Sequence, residues 1–378
     1  MPWTEVSIMD RREEFVGFAS HPDANISSLC RVFGISRKTG YKWLGRARED
    51  AEAEVKVRFG DASRRPHHSP RRTPGEIEEA ILGVRGEHPA WGARKIAHVL
   101  LREGVAAPSP STVHAVLLRR GCLCEDREPP KTFGRFEMDA PNLMWQMDFK
   151  GQVQLGDGST CYPLTVIDDH SRFAICLQSC DNQKTATVQA ALEQVFRRYG
   201  LPAAFYVDNG PPWGGGAQGR FTPLGVWLLK LAVDVIHATP HCPQGRGKNE
   251  RLHRSLKAEV FDARPLSGMI HAQKSFDTWR DIYNYKRPHE ALAMQVPASR
   301  YRPSNRPMPA SVPTIEYDTL DIVRKVNKDV PLIGFKGKTW RLPKAFRGEN
   351  VAIRQRDNDI YAVCFGAKQI ATIDLKQT

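Results

Sequence analysis

The spacing of apolar residues changes twice along the chain. Up to about residue 123 the apolar residues recur at helical spacing, which predicts a series of short helices. From Pro141 onward short apolar strands alternate with amphipathic helices, and the clearest helix, Thr185 to Tyr199, is followed by Gly200. After Arg302 short strands are separated by turn residues. The sequence therefore predicts a multidomain protein with all-α, α/β and all-β parts in that order.

A helix, a short glycine-containing turn and a second helix are predicted within the first 60 residues. The first helix covers Ser27 to Phe33, Gly34 ends it, and Ser36 caps the second, Arg37 to Arg48. This order is typical of a helix-turn-helix, whose second helix enters the major groove with its N-terminal end. The candidate DNA-contacting residues at that end are Arg37, Lys38, Thr39, Tyr41 and Lys42. A small helical bundle is the alternative, and local spacing alone does not separate the two.

A second helical unit is predicted between residues 73 and 123. Thr73 is expected to cap its first helix, with Pro74 at the first helical position. Trp91 to Glu103 forms the next helix, and Ser109 caps a third that runs to Arg120. Three helices in this arrangement again indicate the helix-turn-helix type.

The part from Pro141 to Arg302 is predicted to form an α/β layered structure with a mixed sheet. Three strands of antiparallel type come first, with a hairpin turn at Asp157-Gly158, and strands then alternate with helices. The predicted strands are Leu143–Val153, Tyr162–Ile167, Phe173–Gln178, Ala203–Val207 and Val233–His237, and the later helices are Thr185–Tyr199, Leu224–Leu231 and Lys248–Phe261.

Three polar, proline-containing segments mark the predicted domain boundaries. They cannot build a core, and the first, rich in arginine, can follow a phosphate backbone. Beyond the last, turn signals at Gly334, Gly337, Asp357-Asn358 and Gly366 predict a small β-barrel. The predicted domains are a helix-turn-helix domain at 1–60, a basic linker at 61–72, a second helix-turn-helix domain at 73–123, a linker at 124–140, the α/β core at 141–302 and the small β-barrel at 314–378.

The excess of positive charge is concentrated in one part of the chain. The formal net charge is +13, and more than half of it lies between Gln244 and Arg306, where 13 Lys and Arg stand against 6 Asp and Glu. Such a concentration is the electrostatic footprint of a polyanion partner. A solvated charged surface is the alternative, and it is weaker here because the basic stretch accompanies two DNA-binding signals.

Membrane, secretory and zinc-binding classes find no support in the sequence. No apolar run approaches the ~20 residues that a membrane span needs, and the first residues lack the order of a signal peptide. The eight cysteines match no disulfide framework, and His67-His68 with Cys122 and Cys124 have poor spacing for zinc. We therefore expect a cytoplasmic protein with reduced, structural cysteines and no membrane partner.

Three carboxylates stand out as candidates for chemistry. Asp148 lies within an apolar strand, Asp208 ends another, and Glu250 lies in the first turn of a basic helix. A carboxylate in a buried strand is costly without a partner, and a divalent cation such as Mg²⁺ is one such partner. Each residue taken singly could equally form an ion pair or a turn. The rival pair, Asp168 and Asp169, lies in a predicted hairpin connection where Asp favours turns, and we assign it a structural role.

Five ordered motifs then carry a family resemblance. They are PNLMWQMDFKG (141–151), LTVIDDHSRF (164–173), FYVDNGPPW (205–213), PQGRGKNERLHRSLK (243–257) and YNYKRPHEAL (283–292). In this order the chain resembles the DDE transposases of bacterial insertion sequences, which have an integrase-type, RNase H-like catalytic core. The likeness covers roughly residues 130–305, and the two upstream helical units match the usual N-terminal arrangement of that family.

The resemblance implies a catalytic triad of Asp148, Asp208 and Glu250 that holds two Mg²⁺ ions, for which Mn²⁺ can substitute. The 41 residues between Asp208 and Glu250 exceed the usual spacing in the family, and a loop insertion that includes Gly214-Gly215-Gly216 accounts for the difference. At 3.6 residues per turn Arg254 and Lys257 share the helix face of Glu250. If Glu250 points at the metals, both residues are predicted to line the DNA path beside them. A basic residue seven positions after the catalytic Glu recurs in the family, and Lys257 matches it.

The implied function is that of a transposase. It would bind the terminal inverted repeats of its own mobile element and catalyse metal-dependent cleavage and strand transfer. Its partners would be double-stranded DNA at the element ends and at the target, and a second copy of the chain, because synapsis of two ends needs at least a dimer. Such a protein would be cytoplasmic and associated with the bacterial nucleoid. The alternatives are a DNA-binding regulator with an inactive integrase-like core and a metal-dependent nuclease without strand transfer.

Overall fold

The computed structural model describes residues 7–53, 59–61, 72–123, 136–214, 221–238 and 247–376. Compact packing divides the chain into two units, Met1–Arg72 and Thr73–Thr378. Most of the basic linker, His67-His68, Cys124 and Cys242 lie outside the described residues. The six described cysteines are free thiols. Within the described part of the chain, no helix is long and apolar enough to cross a membrane.

The first unit consists of helices α1 (Ile8–Ala19), α2 (Ile26–Val32) and α3 (Arg37–Glu52). The predicted turn between α2 and α3 is confirmed, because Gly34 has a φ of 66° and the Ser36 side chain accepts a hydrogen bond from the backbone N–H of Thr39. Helix α1 was not predicted, although Ser7 and Asp10 form a capping box at its start. Phe15 of α1 and Trp43 of α3 are buried in the common core.

The second unit begins with helices α4 (Gly75–Glu87), α5 (Ala93–Arg102) and α6 (Pro110–Arg119). The predicted cap by Ser109 is confirmed by its bond from the backbone N–H of Thr112. The predicted cap by Thr73 is wrong. Extended Pro74 occupies the N-cap position itself, so the helix begins one residue later than expected and has no side-chain cap.

A mixed sheet forms the centre of the second unit, as predicted. Its strands are β1 (Met144–Phe149), β2 (Val153–Gln154), β3 (Thr160–Asp168), β4 (Ala174–Cys180), β5 (Ala204–Val207) and β6 (Asp234–His237). Strand β3 pairs antiparallel with β1, β2 and β4, whereas β1, β5 and β6 run parallel. The single strand predicted from Leu143 to Val153 is two strands. Lys150 donates to the carbonyl of Pro163, and Gly151 turns the chain with a φ of 98°.

Helices cover both faces of this sheet. On one face, Trp145 and Met147 of β1 pack with α7 (Thr185–Tyr199) and α8 (Pro223–Lys230). On the other face lie α9 (Gly247–Leu256) and α10 (Met269–Asp281), whose apolar side chains pack on β3 and β4. Helix α10 was not predicted. The predicted continuous helix from Lys248 to Phe261 changes to a π-helical turn at Lys257–Phe261.

The C-terminal part forms two small antiparallel sheets around one core. Strands β7 (Ile322–Lys325), β10 (Asn350–Asp357), β11 (Ile360–Phe365) and β12 (Lys368–Asp374) form the first, and β8 (Leu332–Phe335) with β9 (Lys338–Arg341) forms the second. Gly334, expected in a turn, lies within β8, and the turn falls at Lys336 and Gly337. Closure of these sheets into a barrel stays a prediction. Val226 of α8 belongs to the same core, so the sheets pack directly on the central fold.

Candidate active site at the carboxyl edge of the sheet

Asp148 lies near the end of β1, and Asp208 directly follows the neighbouring parallel strand β5. In the register of β1 and β5, Gln146 is opposite Tyr206, and each aspartate comes two residues further along the chain. Both are half-buried. Because side chains alternate across a strand, both aspartates point away from the α7–α8 face, where Met147 and Val207 pack. Asp148 was expected in mid-strand, and it lies instead at the next-to-last position of β1.

Hydrogen bonds in the turn after β5 position Asp208. The Asn209 N–H donates to Asp208 Oδ1 at 2.7 Å, and the Asn209 side chain donates to the carbonyl of Ala238 at 2.8 Å. The His237 ring Nδ1 lies 3.3 Å from the carbonyl oxygen of Asp208. The end of β6 therefore fixes the loop that carries this carboxylate.

Glu250 lies in the first turn of α9 and is exposed. One turn later, His253 Nε2 is 2.8 Å from Thr165 Oγ1, and the same hydroxyl donates to the carbonyl oxygen of Asp148 at 2.8 Å. Thr165 is also the residue directly opposite Asp148 in the β1–β3 pairing. Helix α9 is therefore anchored beside Asp148, one turn from Glu250. The sequence reasoning missed His253.

The donor set suits a hard divalent cation, although the site is open. Asp148, Asp208 and Glu250 offer carboxylate oxygens alone, which are the ligands that Mg²⁺ prefers. Among the described residues, no three His, Cys, Asp or Glu side chains stand close enough together to form a ready-made metal cluster.

Arg254 on α9 and Lys257, the first residue of the π-helical turn that follows, are both exposed. Lys257 Nζ lies 3.9 Å from a carboxylate oxygen of Asp262, and both side chains are more than half exposed. Within the described part of the chain, Glu250 and Arg254 are not joined by an ion pair. Neither Arg254 nor Lys257 is therefore held in the interior.

The exposed start of α3 presents the other predicted DNA contacts. Arg37, Lys38 and Lys42 are exposed, and so is Tyr41 at 60%. Thr39 differs from them, because it is half-buried and its hydroxyl lies 2.9 Å from Ser36 Oγ within the helix cap. This end of the helix therefore offers three cations and an aromatic ring to a partner.

Asp168 and Asp169 are both fully buried, and they have different partners. Asp168 accepts a hydrogen bond from the nearby Ser171 hydroxyl at 2.6 Å and another from the backbone N–H of Asn142, just before β1, at 2.8 Å. Burial raises the pKa of Asp168 despite these bonds. Asp169 instead forms an ion pair with Lys248 of α9.

Lys248 is a second functional candidate that the sequence reasoning missed. Its position could have been inferred, because Lys248, Leu252 and Leu256 recur four residues apart and therefore share the buried stripe of α9. Burial lowers the pKa of Lys248, and the contact with Asp169 opposes that shift.

Family models match most parts of the chain. Two integrase core domain models match residues 138–241 and 231–297, a homeodomain-like domain model matches 39–117, and a model of the C-terminal domain of IS481 family transposases matches 321–378. These matches define the class: a DNA-binding recombination protein with an integrase core, of the polynucleotidyl transferase kind.

Two relatives named for insertion elements indicate which kind of integrase-core protein this chain resembles. The chain is 27% identical over 282 residues to an uncharacterized 31.7 kDa protein of insertion element IS407 from Burkholderia multivorans, covering 72% of this chain and 90% of the relative. It is 25% identical over 304 residues to a protein of insertion element IS476 from Xanthomonas euvesicatoria, covering 76% and 75%. With the domain models, these matches confirm the resemblance to bacterial insertion-sequence transposases with an integrase core.

More distant matches are retroviral. The Gag-Pol polyprotein of koala retrovirus is 24% identical over 233 residues, which cover 58% of this chain and 13% of the polyprotein. Among solved structures, a simian T-cell lymphotropic virus intasome in complex with PP2A regulatory subunit B56 gamma aligns with 78% of this chain and 96% of its own, at 14% identity and a TM-score of 0.38. The family assignment rests on the sequence matches alone.

Proposed function

We propose that this protein binds the terminal inverted repeats of its own mobile element and catalyses cleavage and strand transfer at those ends. The register of β1 and β5 carries the proposal, because it brings Asp148 and Asp208 to one level and one face of the sheet. The contact between His253 and Thr165 then docks the helix of Glu250 against the same edge. Carboxylates from two strands and a helix in this arrangement suit phosphoryl transfer at a metal site.

Asp148, Asp208 and Glu250 would hold two Mg²⁺ ions, or Mn²⁺ in their place. When bound, such ions activate the attacking oxygen and stabilise the leaving oxygen of a phosphodiester. The protein's own part is to fix the three carboxylates: the strands set the spacing of the aspartates, and α9 brings Glu250 to them. Its basic side chains position the DNA backbone.

The proposed reaction has two steps of the same kind. In the first, a water oxygen forms a bond to phosphorus at the element end, and the bond from phosphorus to the 3′-oxygen breaks and leaves a 3′-hydroxyl. In the second, that hydroxyl attacks a target phosphodiester, so the element is joined and a target 3′-hydroxyl is released. Neither step needs a covalent bond between protein and DNA.

DNA would be held by separate parts of the chain. Arg37, Lys38 and Lys42 are the proposed groove contacts of α3, with Thr39 supporting the cap beside them. Arg254 and Lys257 are the proposed backbone contacts next to the carboxylates. The small C-terminal β-barrel, 314–378, would add affinity that does not depend on sequence, and two copies of the chain would bring two element ends together in the cytoplasm.

A strand-transfer assay with end-repeat DNA and a plasmid target tests the function. We expect Asp148→Asn, Asp208→Asn and Glu250→Gln each to bind end DNA as the unsubstituted protein does, while cleavage falls on the order of 10³-fold. The amides keep the shape of the carboxylates and lose their charge. Asp181→Asn, an exposed carboxylate between β4 and α7, is the matched control and should stay active.

Each alternative has its own signature in the same assay. End binding without cleavage by the unsubstituted protein would show a DNA-binding regulator with an inactive core. Cleavage without joining would show a nuclease. Full strand transfer by any one carboxylate variant would remove that residue from the proposed triad.

A further inference from the structure

We infer that Asp169 and Lys248 are positioning residues for the active site, and that their buried ion pair fixes the start of α9 so that Glu250 faces the two catalytic aspartates. The inference rests on the proposed function of Glu250 and deepens it. Neither residue contacts the reacting atoms, and both act through the helix that carries Glu250.

Asp169 joins the strand of one proposed metal ligand to the helix of another. Its Oδ1 accepts a hydrogen bond from the side-chain amide of Gln146 at 2.8 Å and forms the ion pair with Lys248. Gln146 comes two residues before Asp148 on the same face of β1, and Lys248 comes two residues before Glu250 on α9. The carboxylate therefore links both ligand-bearing elements close to their ligands.

Two anchors then hold Glu250 from either side along α9. Lys248 is the anchor before it, and His253, bound to Thr165, is the anchor after it. Leucine packing between α9 and the sheet is not directional, so it does not by itself fix how far the helix slides or turns. The ion pair fixes where the start of α9 lies, because Lys248 must stay beside the buried Asp169 carboxylate. The hydrogen bond between His253 and Thr165 is directional and sets the rotation of the helix one turn later.

The burial of the pair also argues for a specific role. The Asp169 side chain is 0% exposed and that of Lys248 is 13% exposed, so both charges lose most of their hydration. An apolar pair of similar size would often be as stable or more stable at such a position. A buried ion pair is therefore better explained by a need to fix the position of the helix than by a gain in the free energy of unfolding.

Residues 136–138 pack against this pair. The backbone N–H of Met138 donates to Asp169 Oδ2 at 2.8 Å, and the ring of Phe136 lies 5.2 Å from Lys248 Nζ. Glu137 between them binds Arg172 at 2.7 Å and Arg300 at 2.9 Å. Glu137, Arg172 and Arg300 are thus paired with one another, and Asp169 is the carboxylate that forms the ion pair with Lys248.

The test combines three measurements on the full chain. Hydrogen exchange of the metal-free protein reports the order of α9, calorimetric titration with Mn²⁺ reports metal binding, and cleavage of end DNA against Mg²⁺ concentration reports the working site. For Lys248→Met and Asp169→Asn we expect faster exchange confined to residues 247–256, a metal requirement raised roughly 10-fold and unchanged affinity for end DNA. The double variant should be no worse than either single one.

Glu78→Gln is the matched control. It removes another buried, paired charge from the same unit, so it should lower stability and leave exchange in α9 and the metal requirement unchanged. Gln146→Met is a milder second variant that keeps the ion pair and cuts only its link to β1. It should shift the metal requirement in the same direction and by less.

Two failures can be told apart. If Lys248→Met and Gln146→Met fold, keep native exchange in α9 and keep the native metal requirement, the inference is wrong while the carboxylate variants still test the function. If the unsubstituted protein shows no metal-dependent cleavage, the proposed function fails, and the exchange measurement still decides whether the pair orders α9.

Discussion

Gly40 is the residue that lets α3 pack closely on its neighbours in the first unit. A Cβ at this position would lie 2.7 Å from Cys30 Sγ and 2.9 Å from Phe15 Cζ, closer than such atoms approach. Both neighbours are buried and cannot move aside freely. We therefore expect Gly40→Ala to destabilise the first unit by about 1–3 kcal/mol through overpacking. Hydrogen exchange of peptides from residues 7–53 in the full chain measures the loss.

The same helix provides a control for this prediction. A Cβ at Gly45 would meet nothing within 4 Å, so Gly45→Ala should be neutral or stabilise α3 by up to about 1 kcal/mol. Equal exchange rates in the two variants would show that α3 does not depend on close contact at Gly40.

Lys257 allows a sharp test of DNA positioning beside the carboxylates. Among the described residues, Lys257 forms its ion pair with Asp262 at 3.9 Å, and an exposed pair of this length contributes little stability. Lys257→Ala should therefore fold normally, bind end DNA less well at the active site and lose strand transfer by roughly 10-fold. The Mg²⁺ concentration for half-maximal cleavage should stay the same.

Lys274→Ala is the comparison for Lys257, because Lys274 is also exposed and lies on α10. It should retain native strand transfer. Native strand transfer in Lys257→Ala as well would end the assignment, and a changed Mg²⁺ requirement would mean that Lys257 acts on the metal site.

At the scale of elements, one buried carboxylate holds the second helical unit together. Glu78 of α4 is 1% exposed and binds Arg119 at 2.5 Å and Arg120 at 2.9 Å, at the end of α6. The two arginines therefore join α4 to the end of α6. Removing the carboxylate leaves two partly exposed guanidinium groups without their shared partner, so Glu78→Ala should cost about 1–3 kcal/mol of unfolding free energy, measured by urea denaturation.

The pH dependence of this contact has a definite sign. Burial alone would raise the pKa of Glu78, but the bonds from Arg120 and Arg119 outweigh burial and lower it below the ordinary 4.5. A carboxyl with a lowered folded pKa stabilises above its unfolded pKa and loses that contribution as pH falls through the folded value. Stability should therefore drop in acid below about pH 4.5, and Glu78→Ala should flatten that drop.

Elements with a strong local signal could be predicted from sequence. Helix α7 has the predicted bounds because its apolar stripe is long and Gly200 stops it. Helix α10 also carries such a stripe, with Ala272, Phe276 and Trp279 buried, and was overlooked. The break between β1 and β2 has no comparable local signal, since it depends on a hydrogen bond from Lys150 to distant Pro163.

In the candidate site, too, the local sequence predicts some features and long-range contacts determine the others. The order of motifs predicts Asp148, Asp208 and Glu250, and their roles stay predictions. The contacts that position them join residues far apart in the chain, such as His253 with Thr165 and Lys248 with Asp169. Local spacing marks Lys248 as buried, but only the three-dimensional fold identifies its partner.

At the scale of the whole second unit, the C-terminal sheets and the central fold are one packed body. Val226 of α8 lies in the C-terminal core, and ion pairs join Lys230 to Glu349 and Asp234 to Lys368. The predicted linker after Arg302 is also bound, because Arg306 donates to carbonyls of Pro202, Leu231 and Ala232. Truncation after Arg302 would uncover apolar surface, so point substitutions are the better probe of this part.

The C-terminal part carries 12 Lys and Arg against 8 Asp and Glu, and several cations are exposed at its sheet edge. Lys325 lies on the exposed edge strand β7, and Lys328 follows in the next loop. If this part adds sequence-independent affinity, Lys325→Gln with Lys328→Gln should reduce the slope of log K against log salt by about 0.9 for each lost phosphate contact. Cleavage per bound end should not change.

Lys274→Gln removes one exposed charge elsewhere and serves as the control for the salt slope. DNA binding measured at several salt concentrations, on end-repeat and on unrelated duplexes, separates the outcomes. A loss equal on both duplexes is the expected result, because phosphate contacts carry no sequence information. An unchanged slope with native affinity would mean that these sheets serve packing against α8, and a loss confined to end-repeat DNA would mean that they read sequence instead.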